Sequence, residues 1–229
     1  MADPMVFPRR ARVTGPTTRS RTWWGRAWVR SFEETVLEAS DLVAARALAR
    51  SGRLGAVMVI SGMASAVVDP DGSTALIAQV RVRRLDDAQW ATFATEVSRE
   101  TANLAALESG ELPAELVEHA DEAGVEVVPG PGDLDTACEC DGWAQPCLHA
   151  LALLYQLAWV IDADPYALLL LRGRTREQVI DPGSLLPLEA GDAAARAATI
   201  LALADDAPTG HGLADTSVAA YDDEVSRLL

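Results

Sequence analysis

Lysine is absent from all 229 residues, so the nineteen basic side chains are all arginine. That absence excludes the enzyme classes built on a lysine ammonium: P-loop ATPases, protein kinases and Schiff-base enzymes. Any ATP hydrolysis in this protein's pathway is expected to lie on a different chain. Long apolar runs are missing too. The longest, 150–161, includes Tyr155 and Gln156 and is too short to span a bilayer. No apolar segment follows the first arginines, so no secretory signal is expected and the compartment is read as cytoplasmic. Cysteine is scarce. There are three, and all lie between positions 138 and 147.

The apolar fraction is 49%, enough for a real core and against a disordered chain. Net charge is −15, unevenly placed. Residues 1–30 carry seven arginines and one acid, whereas residues 31–229 carry twelve arginines and thirty-three acids, a net of −21. So acidic a body repels phosphate backbones. The basic head either reaches for nucleic acid or folds back on that body, and the second is the plainer account.

The chemistry concentrates at Cys138-Glu139-Cys140, a six-residue spacer, and Cys147-Leu148-His149. Three thiolates and one imidazole make a complete tetrahedral set for zinc, with no position left for water. Soft sulfur ligands select zinc over magnesium or calcium. Inert buried cysteines are the plain alternative, but three in ten residues fit a ligand cluster better. An odd count and the missing secretory signal argue against a disulfide. Gly142 and Pro146 bracket the spacer as a tight loop. After it, Leu151, Leu154, Tyr155, Ala158 and Trp159 recur at helical steps, which places Cys147 and His149 on the first turn of a helix. The site is therefore expected to be structural, one zinc per chain.

These residues resemble the SWIM zinc fingers, whose signature is Cys-x-Cys, a variable spacer and Cys-x-His. The likeness runs over about residues 20–180. It includes Trp143, Ala144 and Pro146 in the spacer, Asp164-Pro165-Tyr166-Ala167-Leu168, Leu171-Arg172-Gly173-Arg174, Trp23-Trp24-Gly25 with Trp28, Ser51-Gly52-Arg53 and Gly110-Glu111-Leu112-Pro113. Two departures stand out. Leu148 replaces a usual lysine beside the metal, and the hairpin tip reads Asp69-Pro70-Asp71-Gly72-Ser73. The resemblance implies binding of protein, DNA or both, with a Swi/Snf-type helicase-like ATPase as the partner.

The rest of the chain reads as α+β: an N-terminal helix and antiparallel-sheet domain, then a small zinc knuckle leading into helices. The expected boundaries are a flexible basic arm at 1–20, the α+β domain at 21–130, the zinc module at 131–180 and an Ala/Asp-rich helical segment at 181–229. Helices are predicted from Thr22 through Leu37, over 42–50, from Asp87 to Leu107, and from Pro113 through His119; another starts at Asp164-Pro165, and one is opened by Thr175 and Gln178. Strands are predicted at 54–60, 64–68, 74–82 and 125–128, with Pro70-Asp71-Gly72 as a hairpin turn. Arg81 and Arg83 alternate onto a solvent face, read as an edge strand. Pro129-Gly130-Pro131-Gly132 reads as a linker crossed by few contacts.

No catalytic relay is visible, and His119 beside Glu122 reads as a surface histidine. The chain is therefore expected to be a non-enzymatic adaptor that docks protein, with 168–171 as a candidate exposed surface. The rival from the binding class is direct nucleic-acid recognition through the N-terminal arginines with Arg172, Arg174 and Arg176. A zinc hydrolase would need an open coordination position that four ligands close.

Overall fold

Val and Ile alternating with small and polar residues build three consecutive strands, β2 (Leu54–Ile60), β3 (Met63–Val68) and β4 (Leu76–Val82), joined as antiparallel hairpins. The computed structural model describes residues 3–14, 20–142 and 144–181, all within one compact unit, Met1–Leu185. The β3–β4 tip is held by its own side chains. The Asp69 carboxylate accepts from the Gly72 N–H at 2.6 Å, and Asp71 accepts from the Ser73 and Thr74 N–H groups. Two flanking strands, β1 (Met5–Phe7) and β5 (Leu134–Cys138), complete a five-stranded antiparallel sheet in the order β1-β2-β3-β4-β5.

One face of the sheet is buried: Val57, Val59, Ala64, Ala66, Val68, Ala78, Val80 and Val82. Its alanines leave room for a close helix. The other face exposes Val6, Met58, Val67 and Ile77. Helices precede and follow the three central strands: α1 (Trp23–Glu33), α2 (Ala39–Arg50), α3 (Asp87–Arg99), α4 (Thr101–Glu108), α5 (Ala114–Glu122), α6 (Leu148–Ala163), α7 (Pro165–Leu171) and α8 (Arg176–Ile180). Half of the eight start at a Thr or Asp cap. Thr22, Asp86, Asp164 and Thr175 each accept an N–H of the first turn, and Asp86–Gln89 and Thr175–Gln178 form reciprocal boxes.

The centre of the fold is α6. Eleven of its sixteen residues are buried, and a helix apolar all round must be covered all round. The sheet lies on one side, and α1 and α2 lie on the other. Trp28 and Trp24 of α1 donate their indole N–H groups to the carbonyls of Leu154 and Ile161, at 3.0 and 2.9 Å. Gln156, also buried, donates to the Ala49 carbonyl at 2.8 Å.

The α+β class stands, but the boundary at residue 130 does not. Strand β5 pairs with β4, and one hydrophobic core runs from Trp24 to Val179 across Pro129–Gly132. The reason is α6 itself, whose apolar circumference no small module could cover. The arm at 1–20 is also not free along its length. Met5, Val6 and Phe7 pair with Val59, Met58 and Val57. Residues 125–128 form no strand, and the helix expected from Asp87 to Leu107 breaks at Glu100, whose φ of −133° is extended. Strand β4 is internal, so Arg81 and Arg83 face Asp135 and Asp133, at 3.6 and 3.2 Å. Leu168–Leu171 is wholly buried and offers no docking surface. Apart from Asp181, the 181–229 segment lies outside the described residues.

Candidate metal centre

The site forms where the end of the sheet meets the start of the central helix. Cys138 is the last residue of β5, opposite Ala78, and shares the helix-covered face with Leu134 and Thr136. The chain turns through Cys140 and Gly142 and returns by a cis Gln145–Pro146 bond. Thr136 donates its hydroxyl to the Gln145 side-chain carbonyl at 3.1 Å and ties the loop's return to the strand. Cys147 is the N-cap of α6, its sulfur accepting the Ala150 N–H at 3.5 Å, and His149 stands on the first turn.

The ligand atoms of Cys138, Cys140, Cys147 and His149 lie within 4.8 Å of one another, close enough to hold a metal ion. Cys138 Sγ is 3.7 Å from His149 Nδ1. Metal–sulfur and metal–nitrogen bonds of about 2.3 and 2.0 Å at a tetrahedral angle put such a pair roughly 3.5 Å apart. Backbone N–H groups surround the sulfurs: Cys140 toward Cys138, Gly142 toward Cys140, and His149 with Ala150 toward Cys147. That is the surrounding a thiolate needs. A Cβ on Gly142 would sit 3.3 Å from Cys140 Sγ, a tight contact that would press on the ligand, and 3.8 Å from Cys147 Cβ.

Electrostatics separates the three thiols. Burial, with the Cys140 and Cys147 thiols adding and the Cys140 N–H offsetting part, pushes Cys138 up to about 12. Burial also raises Cys147, where the Cys140 thiol adds to it. Cys140 is lowered; burial raises it, but the Gly142 N–H and the other two thiols outweigh that. Burial lowers His149, favouring the neutral imidazole that ligates. Three sulfurs this close resist ionising together, and a divalent cation at their centre removes that resistance.

The arginines expected to meet a partner are engaged internally. Arg172 is 2% exposed. Its guanidinium donates to the carbonyls of Arg83 and Glu126, both at 2.6 Å, and to the Asp133 carboxylate at 3.1 Å. Burial lowers its pKa, and Asp133 offsets part of that. Arg172 therefore cannot reach a ligand. Arg174 pairs with Asp87 at 2.6 Å and lies over the Trp90 ring. Arg176 covers the Tyr166 ring and donates to the Glu108 carbonyl at 2.9 Å. His119 is exposed on α5. Trp143 lies outside the described residues.

Sequence reading missed Asp133, which sits just before β5 and accepts from both Arg83 and Arg172. No local signal marks it, because both partners are distant along the chain. Gly142 was legible only as a loop residue, and nothing marked Thr136.

No family model and no solved structure matches the chain. Among curated proteins it is similar to the uncharacterized protein Rv2102 of Mycobacterium tuberculosis, at 30% identity over 162 residues. That match covers 70% of this chain and 58% of the relative, so the chain spans less than two thirds of the length of the protein it resembles.

Proposed function

We propose that the chain is a non-enzymatic, zinc-stabilised adaptor of the SWIM type, working in the cytoplasm. One observation carries the reading: three sulfurs and one imidazole converge within 4.8 Å, each sulfur beside a backbone N–H. That set favours zinc, and four protein ligands leave it no open position for water. The zinc's role is then to join β5 to α6. Structural sites of this kind supply about 10–16 kcal/mol of apparent binding energy, comparable to a domain's whole stability.

The partner follows from the resemblance and from the missing lysine. A helicase-like ATPase in a DNA-linked complex would supply the nucleotide chemistry that an all-arginine chain lacks. Docking through 168–171 is ruled out by burial. Elemental analysis of gently purified protein should find one zinc per chain, and Cys140→Ser should lower that stoichiometry. Co-purification from the native host should recover such an ATPase with the wild type. A chain free of stoichiometric metal would overturn the zinc reading, and recovery without any ATPase would overturn the adaptor reading.

A further inference from the structure

Six arginines of the described structure pair with a carboxylate: Arg46 with Glu33, Arg81 with Asp135, Arg83 and Arg172 with Asp133, Arg99 with Glu96, and Arg174 with Asp87. The arginines around the α2–β2 corner differ. Pairing of β1 with β2 fixes the N-terminal segment beside this corner. From there the Val13 N–H donates to the Arg50 carbonyl at 3.0 Å. Gly52, at φ 75°, lies so close that a Cβ would stand 2.9 Å from the Arg12 nitrogen. The segment is thus held on the corner by backbone contacts.

Its side chains are positioned by neutral groups. Arg9 donates to the Gly52 carbonyl at 2.7 Å. The Arg10 guanidinium lies 4.8 Å from the centre of the Trp159 ring. Arg53 donates to the Pro70 carbonyl. No carboxylate of the described residues pairs with Arg9, Arg10, Arg12 or Arg53, and all four are exposed. Residues 3–14 with Arg53 carry four arginines and one acid, Asp3, on a chain of net −15, and Asp69 and Asp71 stand at the hairpin tip beside Arg53. A carbonyl or a ring orients a guanidinium without neutralising it, so Arg9, Arg10 and Arg12 bring uncompensated positive charge to this corner.

We propose that this corner is a preformed binding surface for the phosphodiester backbone of a nucleic acid. Arginine forks match phosphate oxygens bidentately, which a row of ammonium groups would not. Arg10 and Arg12 are two residues apart on a chain without helix, so their side chains are spaced by roughly 7 Å, a reach that engages separate phosphates. The surface carries no base-reading element, so its binding is independent of sequence. It is separate from the metal centre and does not rest on the adaptor reading.

Deleting residues 1–20 would strip β1 from the sheet, so substitutions make the better test. Fluorescence anisotropy of the whole chain with a labelled DNA oligonucleotide, single-stranded and duplex, would be followed from about 20 to 200 mM salt. Four phosphate contacts give a log–log salt slope of about −3.6 on duplex. The triple variant Arg9→Gln, Arg10→Gln, Arg12→Gln should flatten that slope by about 2.7 and weaken binding at least roughly tenfold. The corresponding triple lysine variant should keep the slope, and Arg81→Gln with Arg84→Gln should change nothing. Zinc content and circular dichroism should be unaltered throughout. No binding at the lowest salt, a slope unmoved in the triple glutamine variant, or displacement by polyglutamate as readily as by unlabelled DNA would each overturn the proposal.

Discussion

Arg172 and Asp133 form an ion pair at 3.1 Å with side-chain exposures of 3% and 10%, directly behind the strand that carries Cys138. The same guanidinium holds the carbonyls of Arg83 and Glu126, so one side chain joins β4, the segment before β5 and the end of α7. The Leu-Arg-Gly-Arg motif is in this respect a fastening inside the fold.

Arg172→Ala should therefore cost about 3 kcal/mol, since it leaves the carbonyls of Arg83 and Glu126 without that donor and the Asp133 carboxylate with Arg83 alone. Urea titration would measure it. Because Asp133 immediately precedes β5, the variant should also lose metal to a chelator faster than the wild type. Arg172→Lys should restore little, as an ammonium cannot reproduce the three-way fork.

Cys147→Ser is expected to act on the whole unit. A separate zinc module would have left residues 22–128 folded, but α6 supplies the core that α1, α2 and the sheet share. Far-ultraviolet dichroism and tryptophan fluorescence should lose structure together, in one transition. A protease-resistant fragment ending near residue 130 would contradict this.

Gly25→Ala should destabilise, against the usual gain from replacing glycine within a helix. A Cβ there would collide with the Asp162 carboxylate, which accepts the N–H groups of Arg21 and Thr22, at 2.9 and 3.2 Å, and so secures the start of α1. Thermal melts should show a lower Tm, and adding Asp162→Ala should make the Gly25 change nearly neutral, because the two share one contact.

Tyr155 links pH to stability. Its hydroxyl donates to Glu33 at 2.6 Å and accepts from Arg46 at 2.9 Å. Burial first, and then the Glu33 carboxylate, raises its pKa well above the ordinary 10.0. A raised acid keeps its proton in the fold while the unfolded chain loses it. This contribution is thus fully present below about pH 10 and declines as pH rises above that value. Denaturation at pH 9, 10 and 11 should show the decline, and Tyr155→Phe should flatten it.

What could be read in advance was local. The Cys138–His149 ligands, the caps at Thr22, Asp164 and Thr175, and the strands of the central hairpins all depend on neighbours a few residues away. What could not be read depends on distant pairings. Nothing near Met5 indicates that β2 lies beside it, and nothing near Arg172 indicates Asp133. The run 150–161 was visibly apolar, yet its need for cover on both sides, which abolishes the expected domain boundary, emerges only when sheet and helices are assembled.

Strand β5 is the last in the sheet, and its outer edge pairs with no strand among the described residues. It is five residues long, and Cys138 ends it. Metal loss therefore frees the strand at its clamped end first. Once it peels away, β4 becomes an unpaired edge beside the exposed Ile77 and Val67, a template on which other chains can add strands. The metal-free protein should therefore self-associate as it loses structure, and turbidity after chelation should rise with protein concentration.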